Sequence, residues 1–481
     1  MPSLEELQAL MRSRLTAVGI SVDGGVPTRR NHDRAAQSFS QRIVWAHQQR
    51  VPDSTANNIC LAFTFTGVVD ETALRRALLG VVERHEILRT TYHTDDDGSY
   101  YQLIHTDLPI RVQTLDLDDA PASTERLSEL IAEAATEPFD LAGESSIRLT
   151  FVRLTADADG QPRLAVVIAM QHIIWDGMTL PAMARDVERF YAQAIANPDG
   201  ALEIPPLSPQ VADFAEWEQD RFAADDHASD TAFWEDQFRD ISTTVLPYDR
   251  RPESVSERSA RMDRQLSDHA ESVLRSLSSE LRVPPFSVFL AVYYLALRRI
   301  TGQRDILIGT TVANREEVGM EALIGNFSNS IALRIGTDGA AFADLVADVR
   351  AVTDSAFGHR TFPFEHLVEV ARRITGDPQA QPFDTLVLFI DQELQGPQLP
   401  GVSSTWELAH KGRALLPLAV ETFMHADRTE VQISYQIDLF EPSTVERIHD
   451  NIEQVLSDAT ADRPLSDLLP ADLVTSGGVQ V

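Results

Sequence analysis

Residues 164–170, Leu-Ala-Val-Val-Ile-Ala-Met, form an unbroken apolar run that ends at Gln171-His172-Ile173-Ile174-Trp175-Asp176-Gly177. So short and uniform a run reads as a strand covered on both faces, with structure packed above and below it. It delivers an imidazole into a dry interior. A loop follows, and Met178 to Asn197 then opens with Thr179 and Pro181, a helix start. Alternation places Leu164, Val166, Ile168, Met170 and His172 on one face and Gln171 on the other. A strand-to-helix turn holding one buried, titratable histidine suits acyl-transfer chemistry. A His-x-x-x-Asp pair on a helix would read as metal ligation. Strand and turn signals surround this one and no second histidine lies nearby, so no metal is expected. On the local sequence, a purely structural histidine is the alternative.

At 481 residues the chain exceeds one simple core, and two units of about 200 residues each are expected. A hydrophobic content of 43% fits a filled globular interior. No apolar stretch approaches the ~20 residues that span a bilayer. Met1 to Gly19 lacks a secretory core, and the single Cys60 excludes an internal disulfide, so a reducing cytoplasm is the expected compartment. The formal charge of −32 argues against nucleic acid and against anionic membrane surfaces. Lys411 is the single lysine among 41 basic residues, a skew that reads as GC-rich coding rather than chemical need.

Residues 3–18 have helical spacing, and 1–34 reads as an appended helix and linker. Residues 35–245 and 246–475 read as two mixed α/β lobes, with 476–481 a tail. In the first lobe the pattern predicts strands at 58–66, 88–92, 146–154 and 164–172 and a helix at 71–85. In the second it predicts strands at 305–311, 329–335, 383–391 and 430–436, and helices at 284–301 and 442–459.

Further stretches stand in order along the chain. They are Ser38-Phe-Ser-Gln-Arg-Ile-Val-Trp45, Arg84-His-Glu-Ile-Leu-Arg-Thr-Thr-Tyr92 and Val211-Ala-Asp-Phe-Ala-Glu-Trp217. After them come Ile308-Gly-Thr-Thr-Val-Ala-Asn-Arg315, Ile324-Gly-Asn-Phe-Ser-Asn-Ser-Ile-Ala-Leu-Arg334 and His359-Arg-Thr-Phe-Pro-Phe-Glu365. Together with the heptad, this ordered set resembles the condensation domains of nonribosomal peptide synthetases over nearly all of residues 35–475. The family's His-His-x-x-x-Asp-Gly signature is matched with Gln171 in the first position.

The resemblance implies an α/β fold of two chloramphenicol-acetyltransferase-like lobes. They form a V-shaped pseudo-dimer with the active site in a tunnel between them. It implies an acyltransferase that joins a carrier-protein-bound acyl or aminoacyl thioester to an amine or alcohol, as amide or ester. No cofactor is held by the chain itself; the donor rides on a carrier protein's phosphopantetheine arm. The acceptor is a small molecule or a second carrier-bound group, and a monomer is expected. No carrier attachment motif, adenylation loop or thioesterase elbow is found, so a free-standing enzyme meeting its carrier in trans is the expectation. The alternatives are a coenzyme A-dependent acyltransferase of the same superfamily and a non-catalytic recruitment module. Members of the latter kind usually lose the histidine or the Asp-Gly pair, which this chain keeps.

The resemblance also assigns roles. His172 takes a proton from the attacking nucleophile or holds that nucleophile beside the thioester, and both readings stay open. Asp176 is structural, in an ion pair for which Arg84 is the first candidate. Gly177 either leaves room for the pantetheine arm or is a turn glycine. Asn329 faces the cleft and positions substrate, and Ser328 puts a hydroxyl near the pocket. Trp217 and Arg89 match positions associated with activity, with core packing and surface pairing as their alternatives. Gln171, on the face away from the tunnel, is expected to hydrogen-bond within the fold. Leu416-Pro417-Leu418 departs from the family pattern, and its proline puts the local strand pairing in question.

Overall fold

The computed structural model describes residues 25–117, 123–241, 246–337, 339–391 and 394–470. The helix expected at 3–18 and the tail at 476–481 lie outside the described residues. Strands in the first half are β1 (Arg34–Ala36), β2 (Asn58–Thr66), β3 (Thr90–Thr94), β4 (Tyr100–Ile104), β5 (Arg111–Leu117), β6 (Ile147–Leu154) and β7 (Arg163–Gln171). Those in the second half are β8 (Ser259–Gln265), β9 (Ile306–Ala313), β10 (Ser328–Ile335), β11 (Thr385–Ile390), β12 (Ser403–Leu408), β13 (Leu418–Met424) and β14 (Thr429–Gln436). The strand expected from residue 88 is preceded by a short 3₁₀ turn, Glu86–Arg89.

Two large sheets organise the fold. One has the order β12-β2-β7-β6-β5 and the other β10-β9-β11-β13-β14-β8, while β1-β4-β3 make a small third sheet. The apolar run forms β7, held between β2 and β6 by antiparallel pairing on both sides. That central place is what an uninterrupted apolar strand requires. Leu164, Val166, Ile168 and Met170 enter the larger core of the first half, which includes residues of the helices Glu71–Arg84 and Thr179–Ala196. Ala165 and Val167 face the other way, toward Leu127 and Ile131 of the helix Ser123–Ala135.

The second half is built around the helix Pro285–Thr301, which is buried from Ser287 through Leu297 on every face. A helix apolar all round belongs in the centre of a large core, and helices Asp268–Leu281, Phe342–Gly358 and Pro442–Asp458 surround it. Among the described residues no single helix is long and apolar enough to cross a membrane.

The expected division at residue 245 is too simple. β12 belongs by sequence to the second half, yet it pairs with β2 from Ser403↔Thr66 to Leu408↔Leu61 and extends the first sheet. Residues Met320, Leu323, Ile324 and Phe327, in the β9–β10 connection, are buried in the core of the first half. Each excursion buries side chains that the first half alone would leave wet. Pro417 does not break the pairing as its sequence position suggests. It sits one residue before β13, its carbonyl accepts Gln436 N at 3.0 Å, and the ladder starts at Leu418↔Tyr435.

Candidate active site

β7 ends at Gln171, and His172–Ile174 form a single 3₁₀ turn. The strand alternation therefore stops one residue short of His172, whose direction is set by the turn. Gln171 makes that turn. Its Oε1 accepts Ile173 N at 3.1 Å, its Nε2 donates to Gln48 Oε1 at 3.4 Å, and the side chain is fully buried. His172 N is tied to Asn57 O at 2.7 Å.

The His172 ring is enclosed by protein but keeps some solvent-accessible surface, as a side chain lining an interior cleft does. Asn326 Nδ2 lies 3.3 Å from its Nδ1, and no described residue pairs with its Nε2. Asn326 is itself held by Ser328, whose backbone N and Oγ both donate to its Oδ1, at 3.2 and 2.7 Å. Burial, and secondarily the Lys411 ammonium, push the imidazole down to about 4, so at neutral pH it is an uncharged ring.

Asp176 follows and is almost fully buried. Its partner is Arg315, not Arg84. Arg315 Nη2 reaches Oδ1 at 2.7 Å and Nε reaches Oδ2 at 3.0 Å, in the bidentate geometry that makes such pairs strong. Met178 N and Phe327 N also donate to the carboxylate, at 3.0 and 3.1 Å. Arg315 then donates to the carbonyls of Met320, Leu323 and Gly325 and lies over the Phe327 ring at 4.3 Å. One ion pair thus pins the β9–β10 connection, and with it Asn326, against the histidine turn. Arg84 belongs to a neighbouring cluster. It bonds Asp186, which also takes His85 Nε2 at 2.7 Å, while His85 Nδ1 accepts Ile324 N at 3.3 Å. Nothing in the spacing of residues 84 and 176 reveals that Asp186, on the next helix, competes for the arginine.

Asn329 also differs from expectation. Its Nδ2 donates to the carbonyls of Arg360 and Phe362, at 2.8 and 2.7 Å, and its Oδ1 accepts Phe364 N at 3.0 Å. Both amide hydrogens are used in stapling that loop to β10, leaving none for a substrate. Asn326, three residues earlier, is the asparagine at the histidine. Ser328 reaches the site through Asn326. Gly177 is exposed, and a Cβ there would meet nothing within 4 Å, so the fold itself does not require glycine at this point. Trp217 packs on Phe214 at 5.8 Å, under Arg221, and lines a separate small cavity of about 110 Å³. Arg89 is half-buried and donates to His105 O at 2.6 Å. Neither touches His172.

A family model, Condensation domain, matches residues 31–475. The chain belongs to the condensation domain family. Among similar curated proteins is the beauvericin nonribosomal cyclodepsipeptide synthetase of Gibberella fujikuroi, 32% identical over 463 residues. That match covers 95% of this chain and 14% of the relative, so the chain spans about a seventh of that synthetase. The enniatin synthetase of Fusarium oxysporum is 30% identical over 424 residues, covering 87% of this chain and 13% of its own. Among solved structures, the X-domain from teicoplanin biosynthesis aligns with a TM-score of 0.78 at 24% identity, covering 92% of this chain and 99% of that one. The condensation domain from Monacolin K polyketide synthase aligns with a TM-score of 0.76 at 20% identity, covering 90% and 99%. These likenesses establish the two-lobed acetyltransferase-like fold. In this condensation domain the signature heptad stands where the two halves interlock.

Three contributors to the site are not assigned from sequence: Arg315, Asn326 and Lys411. Arg315 is visible as the end of a family-like stretch, but its role needs the fold. Lys411 carries a signal, as the one lysine in an arginine-rich chain.

Proposed function

We propose that this condensation domain catalyses amide or ester formation from a carrier-bound acyl thioester, with His172 at the reacting atoms. Condensation domains act on substrates carried by carrier proteins, which supports a carrier partner here. The observation that carries the reading is a neutral, enclosed imidazole at the junction of the halves. Its Nδ1 is beside Asn326, and its Nε2 is left free of described partners.

The nucleophile, an amine or hydroxyl, attacks the thioester carbon. The new C–N or C–O bond forms, the C–S bond breaks, and the nucleophile's proton ends on the departing pantetheine thiolate. A neutral His172 accepts that proton and passes it on, or orients the nucleophile for attack. The first route needs an uncharged ring at working pH, and its depressed basicity provides one. Asp176 and Arg315 keep the turn and Asn326 in register, and the open space over Gly177 leaves room for a slender arm.

Reconstitution with the same acyl group on a carrier protein and on coenzyme A tests this directly. Product from the carrier-bound donor, well above that from the coenzyme A thioester, is the expected result. Preference for coenzyme A would identify an acyltransferase of the other kind. No product from either donor across amine and alcohol acceptors, with the fold intact, would favour a recruitment module.

A further inference from the structure

Lys411 lies on the stretch that returns from β12 to β13 and so crosses between the two large sheets. Ala409 N donates to Cys60 O at 2.9 Å, continuing the β12–β2 pairing beyond Leu408↔Leu61. Ser259 N, at the start of β8, donates to Gly412 O at 2.9 Å. Lys411 is caught between these anchors, near the end of β2 where Asn58 opposes Gln171. That is the strand end that leads into His172, and the Lys411 ammonium acts electrostatically on its ring.

Its surroundings leave it unsatisfied. Among the described residues Lys411 makes no ion pair and no hydrogen bond; protein surrounds it, but the side chain is half-buried and keeps some solvent-accessible surface. Glu421 on β13 is the carboxylate that acts on it, and this too makes no ion pair within 4 Å. Arg261 and Asp263 on β8 pair with each other at 2.8 Å. His410 turns to Ser259 O at 3.4 Å. A half-buried ammonium without a close protein partner gains by pairing with an anionic ligand that displaces its remaining water. The choice of residue adds a second argument. In a chain where 41 basic residues include one lysine, that lysine lies on the strand return beside the end of β2 that opposes Gln171. A compact ammonium suits a single monoanion, whereas a guanidinium would fill more of the space and fix a planar fork.

We propose that Lys411 anchors a carboxylate on the acyl acceptor, so that the acceptor is a free amino or hydroxy acid rather than a carrier-bound one. This rests on His172 marking the acyl-transfer site. A carboxylate fits better than a phosphate, because one ammonium faces the site and Glu421 adds negative charge to it. With its carboxylate at Lys411, an acceptor of this class presents its amine or hydroxyl toward His172.

The single lysine makes the test specific. Reductive methylation of the full chain with isotope-labelled formaldehyde gives one side-chain dimethylamine resonance, assigned by its loss in Lys411→Gln; the α-amine signal survives. Burial holds the native amine down to about 8. Saturating propanoate is expected to shift that resonance and to raise the pKa it reports by about 1 unit, as a new opposite charge does. Neutral propanamide is expected to do neither. Equal responses to the two ligands, or none to propanoate, would overturn the proposal. So would a propanoate response that disappears in Glu421→Gln, which would make the lysine a structural partner of that glutamate. Because the readout is binding, it stands apart from the transfer assay. If transfer occurs, Lys411→Met should raise KM at least about tenfold for an amino acid acceptor and leave its carboxamide analogue unchanged.

Discussion

Gln171 stands where the family signature has a histidine, and its amide both receives Ile173 N and donates to Gln48. Gln171→Ala strips both groups of a partner in a buried place and should lower stability by about 1–3 kcal/mol in denaturant titration, with Gln171→Glu intermediate. The Asp176 pair sharpens the same point. A double-mutant cycle between Asp176 and Arg315 should show coupling of about 1–3 kcal/mol, and the cycle between Asp176 and Arg84 close to none. Gly177→Ala should leave the melting temperature unchanged, since its new methyl meets open space, while reducing turnover if the arm passes there. The histidine itself sets a pH signature. Its folded-state pKa is depressed to about 4, so between about 6.5 and about 4 the unfolded chain takes up a proton that the folded chain does not. Stability from this group is therefore full above the unfolded value and falls as pH drops through that window. His172→Gln should become more stable relative to wild type as pH falls from 6.5 toward 4. The acid limb of kcat/KM should lie near 4, and a limb near 6.5 would contradict the geometry.

At the level of elements, β7 and the helix after it are legible because their patterns are strong. An apolar run on two faces admits one place in a sheet, and Thr179 with Pro181 marks a helix start. β12 is not legible. Its Ser403, Thr405 and Glu407 are exposed, and its partner β2 lies more than 300 residues away in sequence. An edge strand of alternating polar residues looks like a loop until its partner is known. The β9–β10 connection is hidden for a related reason, since the apolar side chains of 320–327 read locally as a turn yet fill the other half's core. The site can be read in part for the same causes. His172 and Asp176 are local features, whereas Arg315, Asn326 and Lys411 arrive from the distant half. Hydrogen exchange should show β12 amides opening together with β2 rather than with β13, because the ladder and not the chain connection sets their protection.

Across the whole molecule, β12 and the Arg315 pin bind the halves in both directions, so they should unfold as one. Denaturant titration followed by tryptophan fluorescence and by circular dichroism should give coincident single transitions, and Arg315→Ala should separate them. The acyl-transfer reading needs this interlock, since His172, the proposed reacting group, comes from one half and the groups that frame it from the other. The most direct test is single-turnover transfer from an acyl-carrier donor by wild type and by His172→Ala, with circular dichroism confirming the fold of both. Loss of at least about a hundredfold in rate in the folded variant is the predicted result. Transfer at the wild-type rate by the folded variant would contradict it.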